Sequence, residues 1–499
     1  MKLRDWLKGL DYEVIRGDVD AEVEDVTYDS RKAKAGDVFV CMRGTRVDSH
    51  LFISQVVDAG VKVLVIEREP QELLAPLKGD VTVIKVADGR RALALLSAAR
   101  FGHPAKKLVT IGVTGTKGKT TTTHMIKAIL EAAGKKVGMI GTIGTMIGDQ
   151  ITHNQNTTPE SYQLHKAFAK MVEAGCEYMV MEVSSQGVKM HRTDGIFFDY
   201  GIFTNISPDH IGPDEHADFE EYLHYKARLL SMCKVGLVNR DDEHFDAITA
   251  NADCDLYTYT VQSGETCPPA NFAAKNIGYV SEHDFVGSQF TVEGHLNLQT
   301  RLGMPGLFNV ENALAAVSLC RLLGISPAVM AQALEGIRVN GRMEIVHRSK
   351  DLTVLVDYAH NAISMESLLA TLRDYHPKRL VCVFGCGGNR SKDRRYSMGE
   401  IGGKMADFCI LTADNSRYEK TEDILADIRS SIEKTGGKFL EIADREQAIR
   451  YSIEHAQPGD MVAVIGKGHE DYQEICGVRH HFLDREVIER VLGELEEKV

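Results

Sequence analysis

The segment Gly112-Val-Thr-Gly-Thr-Lys-Gly-Lys-Thr-Thr121 carries the densest chemistry in the chain. It lies between an apolar run, Leu108–Val113, and a helical pattern from Thr120 to Ala133 stopped by Gly134. Backbone N–H groups in such a turn can cradle phosphate, and the start of the helix adds a favourable dipole. Lys119 is placed to reach the β- and γ-phosphates of a nucleotide, and the Thr120 hydroxyl to bind Mg²⁺. The general phosphate-loop pattern asks for Gly five places before Gly118, where Val113 stands; the glycines fall at Gly112 and Gly115 instead. A plain glycine-rich turn is the alternative, and the order of strand, turn, Gly-Lys-Thr and helix weighs against it.

Further polar groups stand where a ligand crevice is expected. Glu182 follows the apolar run Tyr178-Met-Val-Met181. A carboxylate at the C-terminal end of a parallel strand faces the crevice of an open α/β sheet; alone, it also suits a surface edge. His210 ends Thr204-Asn-Ile-Ser-Pro-Asp-His210, after the next run, Gly201–Thr204. A lone histidine is more often structural than a ligand, but a phosphate-loop threonine and a strand-end glutamate change that balance. Asp357-Tyr-Ala-His360 repeats the strand-end placement after Leu352–Val356.

The elements that must position these groups fall into three zones, since 499 residues exceed a single hydrophobic core. Over residues 1–104, short runs such as Asp37–Cys41 and Val61–Ile66 alternate with helical patterns such as Leu51 to Ala59, predicting a small α/β domain. Gly102-His-Pro-Ala105 reads as a linker, because Pro104 disfavours helix in the residue before it. Residues 105–336 are expected to form a doubly wound sheet around the phosphate loop, closed by a helix from Val310 to Leu323. Residues 337–499 carry the runs Leu352–Val356, Leu380–Phe384, Phe408–Leu411 and Met461–Ile465 between helical patterns, a second, Rossmann-like α/β unit.

Composition narrows the function classes. With 43% apolar and 26% charged residues the chain is of ordinary globular type, and its net charge of −13 disfavours a general polyanion-binding role. No basic or low-complexity block points to nucleic acid. Met1–Leu10 has no apolar core of a signal peptide and no run reaches the length of a membrane span, so a cytoplasmic location without membrane insertion is expected. Ten cysteines are scattered; Cys382 and Cys386, with three residues between them, fit neither a zinc nor a redox spacing and read as buried reduced thiols.

From Gly115 to Thr121, Gly-Thr-Lys-Gly-Lys-Thr-Thr resembles the ATP loop of Mur ligases and folylpolyglutamate synthetases, enzymes that phosphorylate a carboxylate and let an amine displace the phosphate. Further matches from Asp29 to Arg485 fall in the order of the Mur ligase family. The resemblance implies ATP contacts at Gly115, Thr116, Lys117, Gly118, Lys119, Thr120 and Thr121, and again at Asn309, Arg342, Asp357 and His360. It implies two Mg²⁺ ions held by Thr120, Glu182, His210 and Lys226, the last as a carbamate (N6-carboxylysine). From sequence alone Lys226 is a helix-surface lysine. Lys119, His210 and Lys226 are the implied catalytic groups; for the incoming amine, His210 and His360 are the candidate bases. The family's proline two residues after this histidine is Ala362 here.

Asp29-Ser-Arg31, with Gly36-Asp-Val-Phe39 and Gly44, resembles the UDP-binding domain of the family members that add the third residue of the peptidoglycan precursor peptide. Ser30 would meet the uridine nucleotide, and Thr157, Thr158, Ser184 and Arg192 the rest of UDP-MurNAc-L-Ala-D-Glu. Asp414-Asn-Ser-Arg417 resembles the Asp-Asn-Pro-Arg motif of ligases that add meso-diaminopimelate; Arg395, Gly466 and Glu470 match the same group. The amino-acid site implied is thus Arg395, Asp414, Asn415, Ser416, Arg417, Gly466 and Glu470. Arg417 and Arg395 suit the distal carboxylate of diaminopimelate, Glu470 and Asp414 its ammonium. Ser416 replaces a proline, so a looser loop is expected. The implied activity is ATP-dependent amide formation through an acyl phosphate by a monomer. L-lysine as the amine, or a nucleotide-binding module without ligase activity, are the alternatives.

Overall fold

The structure is a computed structural model that describes every residue except 45–46, 78, 213–214, 263–268, 283–284 and 497–499. Two compact units divide the chain: residues 1–272 with 315–325, and residues 273–314 with 326–499. Among the described residues no helix is long and apolar enough to cross a membrane, and the nine described cysteines, Cys382 and Cys386 among them, are free.

The first unit opens with a five-stranded sheet in the order Glu13–Arg16, Thr82–Lys85, Val63–Ile66, Asp37–Val40, Asp25–Thr27. Only the first pair is antiparallel. Val38, Phe39, Val40 and Val63 to Ile66 are buried on both faces, which is why these runs are continuously apolar rather than alternating. The stretch expected as one helix begins instead as a 3-10 turn, Ser49–Phe52, whose start is held by the Asp48 side chain accepting from His50 N, and continues as helix Ile53–Asp58. The expected linker is packed rather than loose: His103 takes φ 51°, a 3-10 turn runs Pro104–Lys107, and Pro104 and Ala105 are buried.

The phosphate-loop sheet follows. Its strands are β1 (Val109–Thr114), β2 (Val137–Ile140), β3 (Tyr178–Glu182), β4 (Phe198–Phe203), β5 (Cys233–Asn239) and β6 (Asp255–Thr260), and helices α1 (Lys119–Ala132) and α2 (Phe219–Ala227) precede β2 and β5. They line up as β6-β5-β4-β1-β3-β2, all parallel. The chain crosses over on both sides of β1, so the C-terminal ends of β1, β3 and β4 share one crevice, the usual ligand position in such sheets. Leu164, Phe168 and Met171 on one helix face, with Met181, Phe198 and Phe203 from the strands, fill the core beneath it; each such side chain contributes roughly 1.5–3 kcal/mol by burial.

The second unit contains an antiparallel pair, Val286–Gly294 with Leu298–Leu302, and a six-stranded sheet. Four of its strands are β7 (Leu352–Asp357), β8 (Arg379–Phe384), β9 (Phe408–Leu411) and β10 (Asp460–Ile465). They are ordered β7-β10-β8-β9 and parallel, with Glu344–Arg348 antiparallel outside β7 and Phe439–Glu441 parallel outside β9. Here α3 (Ala362–Arg373), α4 (Lys392–Met405), α5 (Arg445–Glu454) and α6 (Asp484–Glu496) surround the sheet, and a small hairpin joins β11 (Tyr472–Ile475) to β12 (Val478–His481). The C-terminal ends of these four parallel strands lie at or next to Asp357, Gly385, Asp414 and Gly466.

Candidate active site

The phosphate loop is held in shape by the segment after β4. Thr116 N donates to Asn205 O at 2.9 Å, Lys117 N to Asn205 Oδ1 at 2.9 Å, and Thr204 Oγ1 to Lys117 O at 2.7 Å. Gly115 has φ 147°, and a Cβ there would lie 1.9 Å from Thr204 Oγ1, so only glycine fits this close approach. Gly118 caps α1 in the left-handed region, and Thr120 and Thr121 are buried in its first turn. Lys119 Nζ folds back to donate to Gly115 O at 2.7 Å and Thr116 O at 3.2 Å. Burial lowers the pKa of Lys117.

Glu182 ends β3 almost fully buried. Its Oε1 accepts from Thr120 Oγ1 at 3.0 Å and from Thr142 N at 2.8 Å; its Oε2 accepts from Thr142 Oγ1 at 3.1 Å. The strand-end glutamate and the loop threonine are therefore in contact, as the sheet topology requires.

Lys226 departs from its helix-surface reading: it is only 2% exposed, and its Nζ donates to Gly115 O at 2.7 Å. Burial, reinforced by the charge of Lys119, pulls its pKa well below that of an ordinary lysine. One turn earlier on α2, Tyr222 packs its ring 4.7 Å beneath Lys226 Nζ and shares a 3.0 Å hydrogen bond with Thr116 Oγ1. The i, i+4 spacing of these two residues on α2 brings both to the loop face.

His210 does not join Thr120 and Glu182 in a hydrogen-bonded set. It is half exposed, at φ 54°, with Nδ1 2.9 Å from Glu215 Oε1. Its ring lies 6.1 Å from that of Tyr222. Among the described residues no group of three or more His, Cys, Asp or Glu side chains is arranged to hold a metal ion.

The residues expected to hold the dipeptide split into one cluster and one outlier. Thr158 Oγ1 donates to Glu182 O at 3.0 Å and accepts from Ser184 N at 2.9 Å; Arg192 Nη1 donates to Thr158 O at 3.1 Å; Thr157 Oγ1 lies 3.1 Å from Thr142 Oγ1. Ser184 caps the short helix Ser185–Lys189 through its own hydroxyl, which accepts from Gly187 N. Arg192 Nε is buried without a hydrogen-bond partner and is 3.6 Å from Glu160. Ser30 sits apart, half-buried in the turn after Asp25–Thr27. That sheet is joined to the phosphate-loop domain by Tyr162, whose hydroxyl donates to Asp25, and by Tyr28, which donates to Gln163.

In the second unit, Asn309 is buried and donates to Pro305 O at 2.7 Å. Asp357 is deeply placed, accepting from Met343 N and Ala359 N, each at 2.7 Å; burial raises its pKa against the pull of Arg342. Arg342 stacks over Tyr358 at 4.6 Å, with its Nε buried and unpartnered. Burial lowers the pKa of His360, whose Nδ1 is 2.9 Å from Tyr358 O. Ala362 in place of proline costs the loop nothing visible. It is the first residue of α3, Asn361 caps that helix by accepting from Ser364 N at 2.9 Å, and alanine is the best helix former.

The amino-acid group is also rearranged by folding. Asn415 Nδ2 donates to Glu470 Oε2 at 2.8 Å, and Arg417 Nη1 donates to Gly388 O at 2.6 Å. Gly466 has φ 111°, and a Cβ there would meet Asp414 Oδ2 at 2.7 Å, so glycine leaves that carboxylate uncovered. The loop is not loose at Ser416. Ser416 is buried, Arg417 N donates to Glu474 O, and Cys476 N donates to Arg417 O, so the β11–β12 hairpin does the restraining that a proline would do. Arg395 stands outside this set: it is 1% exposed, and its Nη1 and Nη2 are engaged by Asp427 and Glu419, at 2.8 Å each. The expectation that Arg395 meets a substrate carboxylate is therefore not supported by its placement, because two internal carboxylates already occupy it.

Sequence reasoning passed over Asn205, Thr142, Tyr222, Lys467 and Arg445, all of which shape these sites. Asn205 lay inside the Thr204–His210 run singled out for its histidine. Thr142 and Arg445 had no local signal; the partner of Arg445, Asp484, is far along the chain, and the pair is fully buried, with bonds of 2.7 Å.

Three domain families match the chain: Mur ligase family, catalytic domain, over residues 22–101; Mur ligase middle domain over 113–320; and Mur ligase, glutamate ligase domain over 341–468. The chain belongs to the Mur ligase family. It is 38% identical to the UDP-N-acetylmuramoyl-L-alanyl-D-glutamate--2,6-diaminopimelate ligase of Caldanaerobacter subterraneus subsp. tengcongensis, over 99% of this chain and 100% of that one. It is 39% identical to the enzyme of the same name from Clostridium botulinum, with the same coverage. A solved structure of a UDP-N-acetylmuramoyl-L-alanyl-D-glutamate--2,6-diaminopimelate ligase superposes with a TM-score of 0.73 at 27% identity, covering 99% of both chains.

Proposed function

We propose that this protein is an ATP-dependent ligase that joins meso-diaminopimelate to the D-Glu carboxylate of UDP-MurNAc-L-Ala-D-Glu in peptidoglycan synthesis. The observation that carries the reading is a single Arg417 on one loop with Asp414 and Asn415, the latter bonded to Glu470. A cation and two carboxylates suit the zwitterionic distal head of diaminopimelate, whereas lysine offers no distal carboxylate for the arginine. The domains assigned are residues 1–104 for UDP, 105–336 for ATP and 337–499 for the amino acid.

In this reading the backbone N–H groups from Gly115 to Thr121 receive the ATP phosphates, and Lys119 exchanges its loop carbonyls for phosphate oxygens. Asn309, Arg342, Asp357 and His360 are the further ATP contacts that the family resemblance implies. Thr157, Thr158, Ser184 and Arg192 hold the muramoyl dipeptide, Ser30 its uridine end. The D-Glu carboxylate attacks the γ-phosphorus, the bond to ADP breaks, and the acyl phosphate forms. The amine then attacks the acyl carbon, phosphate departs, and the amine loses its proton, with His210 and His360 as candidate acceptors. Two hard oxygen donors, Thr120 Oγ1 and Glu182 Oε1, lie 3.0 Å apart beside the loop and fit Mg²⁺. Bound there, Mg²⁺ would screen the repulsion between ATP and the carboxylate. His210 and a carbamylated Lys226 are the further ligands in this reading. A neutral, buried Lys226 is the form that adds CO₂, losing a proton from nitrogen as the N–C bond forms.

The test is product identity. The protein with ATP and UDP-MurNAc-L-Ala-D-Glu is offered meso-diaminopimelate or L-lysine, and ADP and the conjugate are followed by mass. Conjugation of diaminopimelate with stoichiometric ADP supports the reading. A lysine product replaces the amino acid in it, and ADP release that needs neither amine nor dipeptide overturns it.

A further inference from the structure

The Asp414–Arg417 loop rests on a lysine that the reaction so far leaves unused. Lys467, between Gly466 and Gly468, has no exposed surface. Its Nζ donates to Asn415 Oδ1 at 3.2 Å, to Glu470 Oε2 at 3.3 Å and to Tyr472 O, so all three of its N–H donors are engaged. Asn415 Oδ1 also accepts from Glu474 N at 2.9 Å. Two donors on that oxygen dictate which way the amide faces, and its Nδ2 is thereby aimed at Glu470 Oε2. Lys467 thus fixes two side chains of the amino-acid site at once. A buried ammonium is costly unless paired, and here the pair is with the carboxylate that would otherwise face Asp414 uncompensated. Burial raises the pKa of Glu470, Asp414 adds to the rise, and Lys467 opposes it.

We propose that Lys467 is a positioning residue that sets the amino-acid specificity of this subsite, by holding Asn415 and Glu470 in place and by compensating one of its two carboxylates. This rests on the reading that Asp414–Arg417 and Glu470 receive the distal head of the incoming amino acid. With Lys467 in place, Glu470 is an acceptor of fixed direction, and Arg417 keeps donors beyond its bond to Gly388 O with which to select a carboxylate. Without that charge the site is more negative, which favours a bare ammonium over a zwitterionic head. Lysine gains on diaminopimelate.

The experiment uses the full-length protein with Lys467→Met, and kcat/KM is measured for meso-diaminopimelate and L-lysine at saturating ATP and dipeptide. The ratio of the two is expected to fall at least about tenfold, while KM for ATP and for the dipeptide stays within about twofold of the parent. Lys467→Arg, which keeps the charge, recovers part of the ratio; a packing role alone would not produce that recovery. If Lys467→Met does not fold, Lys467→Gln removes the charge but keeps polar contacts, and the same fall is expected. An unchanged ratio in a folded, uncharged variant overturns the proposal and leaves the reaction assignment standing. A parent enzyme that makes no diaminopimelate conjugate overturns the substrate assignment and this proposal together, and does so before any variant is compared.

Discussion

Lys119 and Lys226 share one acceptor: the Nζ of each donates to the carbonyl oxygen of Gly115, at 2.7 Å in both cases. Burial lowers the pKa of Lys226, and the charge of Lys119 on the same oxygen adds to the fall. The pairing places the two lysine amines side by side at the loop.

A neutral Lys226 leads to the first prediction. Removing dissolved CO₂ and bicarbonate lowers turnover, and returning bicarbonate restores it. Lys226→Ala is slower by at least about 100-fold and insensitive to bicarbonate. Equal sensitivity of parent and variant would count against the carbamate.

Lys119→Ala is expected to lose roughly 10²–10³ in kcat, because a cation at the transferred phosphoryl group stabilises charge that is largest in the transition state. Glu182→Gln keeps the hydrogen bonds to Thr120 and Thr142 in part but removes the anion. Its Mg²⁺ requirement, titrated by ADP release, should rise about tenfold or more. Retained activity in Lys119→Ala would sink the phosphate role.

Arg417→Ala is expected to erase most of the preference for diaminopimelate over lysine, a change of about tenfold or more in the kcat/KM ratio. Lysine has no distal carboxylate to lose, so its own kcat/KM should move little. Competition between the two amines in one reaction reads this directly.

Arg445 bonds to Asp484 and also donates to Ala413 O at 3.2 Å and Ile465 O at 3.0 Å, the residues just before Asp414 and Gly466. Asp484→Leu strands a buried guanidinium and should cost ~3–5 kcal/mol in denaturant unfolding. Arg445→Met with Asp484→Leu, which removes both charges, should cost clearly less. Equal losses would mean that packing, not charge pairing, dominates there.

His165 is fully buried against Phe168, with neither ring nitrogen bonded to a side chain, and burial pushes its pKa down to about 4 from 6.5. A histidine whose folded pKa is depressed contributes stability that is complete above the unfolded value and is lost as pH falls from about 6.5 toward 4. Unfolding free energy should therefore decline across that window by up to about 3 kcal/mol from this group. His165→Leu flattens that part of the profile; an unaltered slope would show that the loss arises elsewhere.

Much of this was readable residue by residue. The apolar runs located strands in each of the three larger sheets, among them Val63–Ile66, Tyr178–Glu182 and Asp460–Ile465, because buried parallel strands are continuously apolar and short; strands such as Val137–Ile140, Cys233–Asn239 and Asp255–Thr260 were not singled out. The phosphate loop was legible because its function demands glycine, lysine and threonine at adjacent positions, a local pattern. Glu182 and Asp357 were legible because a polar residue at the end of an apolar strand lies at the C-terminal edge of the sheet, whereas Asp414 was reached only through the resemblance of Asp414–Arg417 to a family motif. Lys226 was not: a lysine on a helical pattern looks solvated, and only the packing of α2 under Gly115 buries it. The internal pairing of Arg395 was illegible for the opposite reason. An arginine near a site looks available until Glu419 and Asp427, brought in by other segments, occupy it.

The sequence by itself determined the class of chemistry, the element order and the strand-end positions of the polar groups, since each depends on neighbours close in the chain. Tertiary structure alone decided which lysine is buried, which arginine is engaged, and that Ser416 is restrained by the β11–β12 hairpin rather than by a proline ring. It also decided that Lys467 stands beneath the amino-acid loop. Those outcomes follow from desolvation and from partners distant in sequence, and both come into being only when the sheets are assembled.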